Sequence, residues 1–277
     1  MRLRIEHRTH YEFSLPQRRL IQLLRVTPPS FDGQAVVDWH VAVDCDARLK
    51  RSRDGYGNEV TMLYVDGPID RIVLTVGGEV LTEDRAGMVQ GAPEPLPIEL
   101  FLRPTPQTVA DEAITIFARD IARGEADPLA RLHDLCTALY QRIAFDAGDG
   151  NPHRDAASTF ADGHGVCQDH AHVFVAAARV LGHPARYISG HLFRSDGQTV
   201  QPAAHAWAEA WVEGYGWVGF DPANGVSPTD AYVRVAIGLD YRDAAPIAGA
   251  RVGGGAETMQ VEVAVAEASR QRQSQSQ

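Results

Sequence analysis

The sequence is poor in the features that mark several classes of protein. Only three of its 277 residues are cysteine, at positions 45, 136 and 167. They are too few and too scattered for a disulfide framework, so we expect a reducing, cytoplasmic compartment. Positive charge is also scarce, since 26 lysine and arginine residues stand against 36 aspartate and glutamate residues, a formal net charge of −10. We exclude nucleic acids and anionic membrane surfaces as partners because both require a cationic face.

Long apolar stretches are missing as well. Residues 1–8 carry charge where a secretory signal would be apolar, and no later segment has the roughly 20 uncharged apolar residues of a membrane-spanning helix. Hydrophobic residues make up 44% and charged residues 22% of the chain, which is typical of soluble globular proteins and excludes a coiled coil. Only the tail at 269–277, which has no apolar residue, is predicted to be disordered.

The first hundred residues have the alternating pattern of β-strands. Apolar and charged side chains alternate from Arg2 to Phe13, as in a strand with one buried face. A glycine-rich turn at Asp54–Asn58 suits a hairpin connection. Further strand-like runs lie at 20–26, 36–44, 59–65 and 71–82. We therefore predict an antiparallel β domain over residues 1–100.

Helical signals follow a proline-rich connector. Thr105-Pro106 has the form of an N-cap followed by proline at the first helical position, with Gly124 closing the helix. Asp127-Pro128 repeats this signal before a stripe of apolar residues at helical spacing. Strand-like runs then return at 185–192, 204–213, 217–221 and 258–266. The pattern predicts an α+β domain over residues 101–268.

The stretch from Gly163 to His172 carries the main chemical signal. Its glycines suit a tight turn, and the residues that follow form a helical pattern that ends at Gly182 and Pro184. Cys167 therefore falls in the first turn of a helix. Free backbone N–H groups and the positive end of the helix dipole favour a thiolate there, which activates a nucleophile.

A thiolate nucleophile needs a base, and His205 is the candidate. It lies in a strand pattern whose alternate residues, including Trp207 and Glu209, share one face. Asp221 ends the next strand-like run, and its distance along the chain from His205 fits two neighbouring antiparallel strands. A carboxylate in that place would fix the tautomer of the imidazole and stabilise its charged form.

These motifs together resemble a known family. Gly165-Val-Cys-Gln-Asp-His-Ala-His172, then His205-Ala-Trp-Ala-Glu209, then Gly216-Trp-Val-Gly-Phe-Asp-Pro222 resemble the bacterial transglutaminase-like superfamily, whose members are often described as candidate cysteine proteases. Tyr11-Glu-Phe13 and the Asp54–Asn58 turn resemble the β domain that precedes the core in that family. The resemblance covers nearly the whole chain except its tail.

The resemblance implies a papain-like transglutaminase core, with a nucleophile helix packed on an antiparallel sheet. Carried over residue by residue, it implies that Cys167 is the nucleophile, His205 the general base and acid, and Asp221 the residue that orients the imidazole. The chain departs from the family in having Leu239 where an arginine is usual. It also has no tryptophan shortly before the cysteine, where animal transglutaminases place an oxyanion-stabilising one.

Other interpretations of these residues stay open. His164, His170 and His172 with Asp169 could form a zinc site, although no second cysteine is near and the last two histidines point to different helix faces. Alternatively, the chain could be a binding or scaffold module that keeps the fold without turnover. An intact set of nucleophile, base and acid argues against that alternative, because a binding module has no need of all three.

Two more residues are candidates for substrate binding. Trp207, beside His205, could line an acyl-binding groove or belong to the core of the sheet. Gln168, next to the nucleophile, could polarise the start of the helix.

We expect a thiol-dependent acyl-transfer enzyme that acts on peptide or side-chain amides through a thioester. Hydrolysis, by a cysteine peptidase or amidase, is favoured over transfer to an amine because no acceptor tunnel is evident. The predicted partner is a peptide or protein substrate, and no metal or other cofactor is expected. The sequence gives no indication of the oligomeric state.

Overall fold

The structure is a computed structural model that describes residues 1–148, 151 and 153–268. The tail at 269–277, which the composition predicts to be disordered, lies outside the described residues. Within them, no helix is long and apolar enough to cross a membrane.

The described chain folds into strands that precede and follow a group of helices. The strands are β1 (Arg2–Leu24), β2 (Gln34–Val43), β3 (Arg48–Arg53), β4 (Glu59–Thr82), β5 (Met88–Val89), β6 (Ala144–Phe145), β7 (His164–Gly165), β8 (Ala185–Leu192), β9 (Val200–Gln201), β10 (His205–Val212), β11 (Gly216–Phe220), β12 (Tyr232–Gly238), β13 (Ile247–Val252) and β14 (Glu257–Glu267). The helices are α1 (Glu112–Ile121), α2 (Pro128–Arg142), α3 (Ala156–Asp162), α4 (Cys167–Val180) and α5 (Tyr241–Ala244), with a short 3₁₀ helix at Ile98–Leu102.

Two long antiparallel strands, β1 and β4, form the centre of the first sheet. The sequence pattern predicts shorter separate runs within them, at 20–26, 59–65 and 71–82, and this is wrong because each strand is continuous. The ladder between them shifts register between Glu12 and Arg19. Buried positions of β1 therefore change from odd-numbered residues, ending at Gln17, to even-numbered ones from Leu20. A change of phase within one strand looks like a strand boundary in the sequence.

The first sheet also contains strands from the C-terminal part of the chain. β14 pairs with β1 from Leu3 to Phe13, and β13 pairs with it from Arg19 to Leu24. The sequence analysis placed these residues with the 101–268 domain, whereas their backbones extend the N-terminal sheet. Alternation identifies a strand but carries no information about which distant strand it will pair with.

The second sheet has the strand order β12-β8-β10-β11-β5 and carries α4 on one face. The face of β10 toward α4 consists of small residues, and Ala206, Ala208 and Ala210 are each at most 3% exposed. They allow the helix to approach closely, so that α4 is buried from Asp169 to Ala178. This confirms the predicted helix at Cys167 and the alternation of β10.

Local capping residues decide where the other helices begin. α2 starts as predicted, because the Asp127 carboxylate accepts a hydrogen bond from the Leu129 N–H and proline occupies the first turn. The predicted helix start at Thr105 is wrong. Thr105 instead hydrogen-bonds Thr108 across a short turn, and α1 begins only after Asp111, whose carboxylate accepts from the Ile114 N–H.

Side chains of the first sheet and its loops close the open edge of β12. The amide of Gln34 accepts a hydrogen bond from the N–H of Arg234 and donates one to its carbonyl, both at 2.8 Å. The amide of Asn58 makes the same pair of 2.8 Å bonds with Ile237. Both amides are buried. They satisfy backbone groups of an edge strand that would otherwise lack partners.

We expect Asn58→Ala to lower the free energy of unfolding by about 2–3 kcal/mol, because it leaves the buried N–H and carbonyl of Ile237 without partners. Urea unfolding followed by circular dichroism measures the change. The control is Gln260→Ala, which removes an exposed amide on β14. Equal stability of the two variants would contradict this role of Asn58.

Candidate active site

Cys167 is the first residue of α4, as the sequence predicts. The helix start is fixed by Asp169, whose buried carboxylate accepts a hydrogen bond from the Val166 N–H at 3.0 Å. Gly165 is required just before it, because a Cβ at that position would lie 2.7 Å from the Asp169 Oδ2. The first N–H groups of a helix have no partner within it. Partly exposed Cys167 is therefore held at the positive end of a helix that is itself packed against the sheet.

The structure brings His205 and Asp221 together beside that helix end. His205 begins β10 and Asp221 follows β11, so the pairing of these strands sets their separation. Nε2 of His205 lies 2.6 Å from Oδ2 of Asp221. The other ring nitrogen, Nδ1, is then the one available to Cys167. Cys167 is close enough to contribute to the raised pKa of the imidazole.

The environment of His205 favours its charged form. Burial by itself lowers the pKa of this imidazole, but the charges of Asp221 and Cys167, and the hydrogen bonds to both, outweigh burial and raise the pKa to about 10. The site therefore holds a charged imidazole against the Asp221 carboxylate.

Asp221 is completely buried and surrounded by hydrogen-bond donors. Besides His205, its Oδ2 accepts from Nδ2 of Asn224 at 2.7 Å and from the hydroxyl of Tyr232 at 2.8 Å. Its Oδ1 accepts from the backbone N–H groups of Ala223 and Asn224. Burial raises the pKa of this carboxyl, but the positive charge of His205 and these hydrogen bonds have the larger combined effect, so the pKa lies below its ordinary value.

Asn224 and Tyr232 are site residues that the sequence analysis missed. Asn224 had a local signal, since an asparagine three residues after the aspartate can fold back onto it in a turn. Tyr232 had none, because it enters the site from β12, which is separated from β11 in the sheet by β8 and β10. Its ring also packs edge-on against Trp207, with ring centroids 5.4 Å apart.

Trp207 lies in the core of the sheet beside His205. It is only 2% exposed, and its ring lies 6.1 Å from that of His205. This burial favours the second alternative, in which Trp207 supports His205 from within the core, and contact of Trp207 with substrate stays a prediction. The neighbouring Gly190 leaves space for this ring, because a Cβ there would be 2.5 Å from the indole.

Glu209, on the same face of β10, belongs to a buried ion-pair network. Its carboxylate receives hydrogen bonds from Nε of Arg186 at 2.7 Å and from Nε of Arg234 at 2.9 Å. Arg186 also binds Glu94, and its guanidinium lies 3.8 Å from the ring centre of Trp217. Burial raises the pKa of Glu209, but the two arginines reverse that effect and lower the pKa overall.

The histidines that suggested zinc have other partners. Both ring nitrogens of His170 lie 3.0 Å from carbonyl oxygens, those of Val166 and Ile143. Nε2 of His172 accepts a hydrogen bond from the Tyr241 N–H at 3.0 Å. Burial lowers the pKa of His172 to about 3, so its imidazole is neutral. Across residues 1–148, 151 and 153–268, no group of three or more histidine, cysteine, aspartate or glutamate side chains is arranged to hold a metal ion.

Two families of known proteins match this chain, one in its N-terminal part and one in its central part. Residues 115–222 match the transglutaminase-like superfamily, and residues 3–81 match the bacterial transglutaminase-like N-terminal region. An uncharacterised protein of Mycobacterium leprae is 30% identical over 274 residues, which cover 95% of this chain and 97% of that protein. The chain belongs to the transglutaminase-like superfamily. An uncharacterised protein of Mycobacterium tuberculosis is 27% identical over 273 residues, covering 90% and 87% of the two chains.

The transglutaminase-like fold is also seen in a solved structure. The crystal structure of a candidate cysteine protease from Cytophaga hutchinsonii superposes with a TM-score of 0.76 at 22% identity, covering 97% of this chain and 92% of that one. The predicted fold class, an α+β transglutaminase-like core with an N-terminal β region, is thereby confirmed. The helix that begins at Cys167 and the sheet that carries His205 both lie in this fold.

In this transglutaminase-like protein, we expect Asp221→Asn to lower the pKa of His205 from about 10 by about 1–3 units, because the neighbouring negative charge is lost. Because the pKa of His205 is raised in the folded protein, protonation of this imidazole stabilises the folded state. That stabilisation is complete below the ordinary histidine pKa of about 6.5, and it is lost as the pH rises through about 10. Titration of ¹⁵N-histidine resonances by NMR measures the shift.

The matched control is Asp146→Asn, which neutralises an exposed carboxylate 4.0 Å from His164. It is expected to leave the His205 titration unchanged. A midpoint that stays near the wild-type value in Asp221→Asn would contradict the charge coupling.

Proposed function

We propose that this protein is a thiol-dependent acyl-transfer enzyme, a cysteine peptidase or amidase, that uses Cys167, His205 and Asp221. The observation that carries the proposal is the 2.6 Å contact between Asp221 and the His205 imidazole, whose pKa Cys167 also helps to raise. It is supported by the position of the sulfur at a helix N-terminus, where a negative charge is stabilised.

In the first step, the Cys167 thiolate attacks the carbon of a substrate carboxamide. The carbonyl π bond opens and its electrons move to the oxygen, forming a tetrahedral oxyanion. When the carbonyl reforms, the C–N bond breaks and the His205 imidazolium gives its proton to the departing nitrogen. The products are a thioester on Cys167, a neutral imidazole, and a free amine or ammonia.

The oxyanion requires hydrogen-bond donors placed before the reaction begins. The backbone N–H of Cys167, at the first position of α4, is one such donor by its location. Gln168 is the adjacent residue at the helix start, and we retain it as a candidate for substrate contact.

In the second step, neutral His205 takes a proton from water, and the resulting hydroxide attacks the thioester. A carboxylic acid leaves, and the thiolate–imidazolium pair is regenerated. Partial exposure of Cys167 and exposure of the nearby Asn224 favour water as the acceptor, because solvent has access to the thioester. The negative charge and orientation of Asp221 stabilise the imidazolium in both halves of the cycle.

Mass spectrometry of the protein with a library of peptide amides, with and without an added primary amine, tests the reaction type. Chain cleavage, or loss of side-chain ammonia with gain of water, supports hydrolysis. A peptide–amine adduct that dominates whenever the amine is present supports transfer and contradicts the preference for water. An unchanged library contradicts the enzyme assignment.

The alternative is a transglutaminase-like binding module without turnover. Alkylation by iodoacetamide separates the two, because the rate follows the thiolate fraction. Rapid labelling of Cys167 well below the ordinary thiol pKa of about 8.5 supports the enzyme. Labelling that rises only as an ordinary thiol ionises supports the binding module. The predicted cytoplasmic location fits a nucleophile that has to stay reduced, and all three cysteines are free.

A further inference from the structure

Three apolar side chains are exposed beside the candidate active site. Phe145 is 58% exposed, Tyr140 is 52% exposed and Val226 is 46% exposed. We call these three residues the apolar rim. Single exposed apolar residues are ordinary on protein surfaces, whereas several in one place next to a reactive group suggest a binding surface.

Phe145 is attached to the end of α4 that carries Cys167. It lies in β6 and pairs with Gly165 in β7, two residues before the cysteine. Its ring is 6.3 Å from the ring of His170, which lies in the first turn of α4 and is itself bonded to backbone carbonyls. Phe145 is therefore held at one side of the nucleophile although most of its side chain faces solvent.

Tyr140 and Val226 are attached to the segment that carries Asp221. Val226 forms an antiparallel bridge with Asp221. Tyr140, in the last part of α2, lies directly on Gly225, where an added Cβ would be 2.8 Å from the tyrosine Cγ. The same segment holds Asn224, whose amide is 3.5 Å from Nε2 of His205.

The C-terminal end of α2 joins these two sides. From Tyr140 the chain passes through Ile143, whose carbonyl lies 3.0 Å from a ring nitrogen of His170, and continues directly into β6. The apolar rim thus extends from the side of Cys167 to the side of Asp221 along one border of the site. A peptide that presents an amide to the sulfur would place a neighbouring side chain against this border.

We infer that the apolar rim binds an apolar or aromatic side chain, such as leucine or phenylalanine, flanking the amide that Cys167 attacks. The inference rests on the proposed function and specifies its substrate class. Contact with the rim removes apolar surface of both partners from water. An acidic side chain at the same place would gain no such burial and would be repelled by the exposed carboxylate of Asp146, which follows Phe145.

Three peptide amides that differ only in the flanking residue, phenylalanine, serine or glutamate, test the inference. With the wild-type protein we expect kcat/KM for the phenylalanine peptide to exceed that for the serine peptide by about tenfold or more, with the glutamate peptide lowest. We expect Phe145→Ser and Tyr140→Ser each to reduce the phenylalanine preference several-fold. The control Ile116→Ser removes an equally exposed apolar side chain, 53% exposed on α1, and leaves the preference unchanged.

Alkylation of Cys167 is measured in parallel, and an unchanged rate in each variant indicates an intact nucleophile. Equal turnover of the three peptides by the wild type, or an equal loss of preference in Ile116→Ser and Phe145→Ser, overturns the inference and leaves the proposed function standing. A wild-type protein that turns over none of the peptides, with Cys167 labelled only as an ordinary thiol, overturns the proposed function and this inference with it.

Discussion

Replacing Cys167 with alanine is expected to reduce amide turnover by at least about 10⁴-fold, because no thioester can form without the sulfur. The thiol is partly exposed at the first position of α4 and borders the core there, so we expect the variant to keep the fold. Turnover of a peptide amide, measured beside a circular dichroism spectrum, tests both expectations.

The control is Cys45→Ala, which removes a partly buried free thiol that packs against the core of the first sheet. It is expected to retain turnover. Turnover that survives in Cys167→Ala would show that another group carries the reaction. A parallel loss in Cys45→Ala would show that the effect comes from folding.

The second large effect is expected at the buried ion-pair network behind β10. Glu209→Gln keeps the shape of the side chain but removes the negative charge between Arg186 and Arg234. Arg186 is fully buried, so the variant leaves positive charge in the core with less compensation. We expect the free energy of unfolding to fall by about 3–5 kcal/mol. Urea unfolding at neutral pH measures the change.

The contribution of Glu209 to the free energy of unfolding is expected to decrease in acid. The pKa of Glu209 is lowered in the folded protein, so its contribution is present above the ordinary glutamate pKa and is lost as the pH falls through the lowered value. The difference between variant and wild type therefore narrows in acid. The control, Asp66→Asn, breaks an exposed pair with Arg19 and is expected to cost far less. A similar fall in the free energy of unfolding in Glu209→Gln and Asp66→Asn would contradict the view that burial makes the Glu209 ion pairs important for stability.

Features encoded within a few residues were predictable from the sequence. The Asp127-Pro128 start of α2 and the start of α4 at Cys167 depend on local capping and glycine placement. The alternation of β10 also placed the side chains of His205 and Trp207 on one face. With the pairing of β10 and β11, this was enough to bring His205 and Asp221 into contact.

Features that depend on distant partners were not predictable. Tyr232 reaches Asp221 only because β12 joins the sheet beyond β8. The burial of Trp207 follows from the packing of Tyr232 and Gly190 around it, which no spacing in the sequence records. Competition between local signals explains the wrong helix start at Thr105, because Asp111 provides a second cap a few residues later.

The partners of β1 have a consequence for biosynthesis. Among the residues that the structure describes, one edge of this strand pairs with β4 and the other edge with β13 and β14 alone. As the nascent chain leaves the ribosome, that second edge stays uncovered until residue 267 has been made. This early segment is thus completed late, and a chain that ends before residue 247 would leave a long edge of β1 unpaired and open to association.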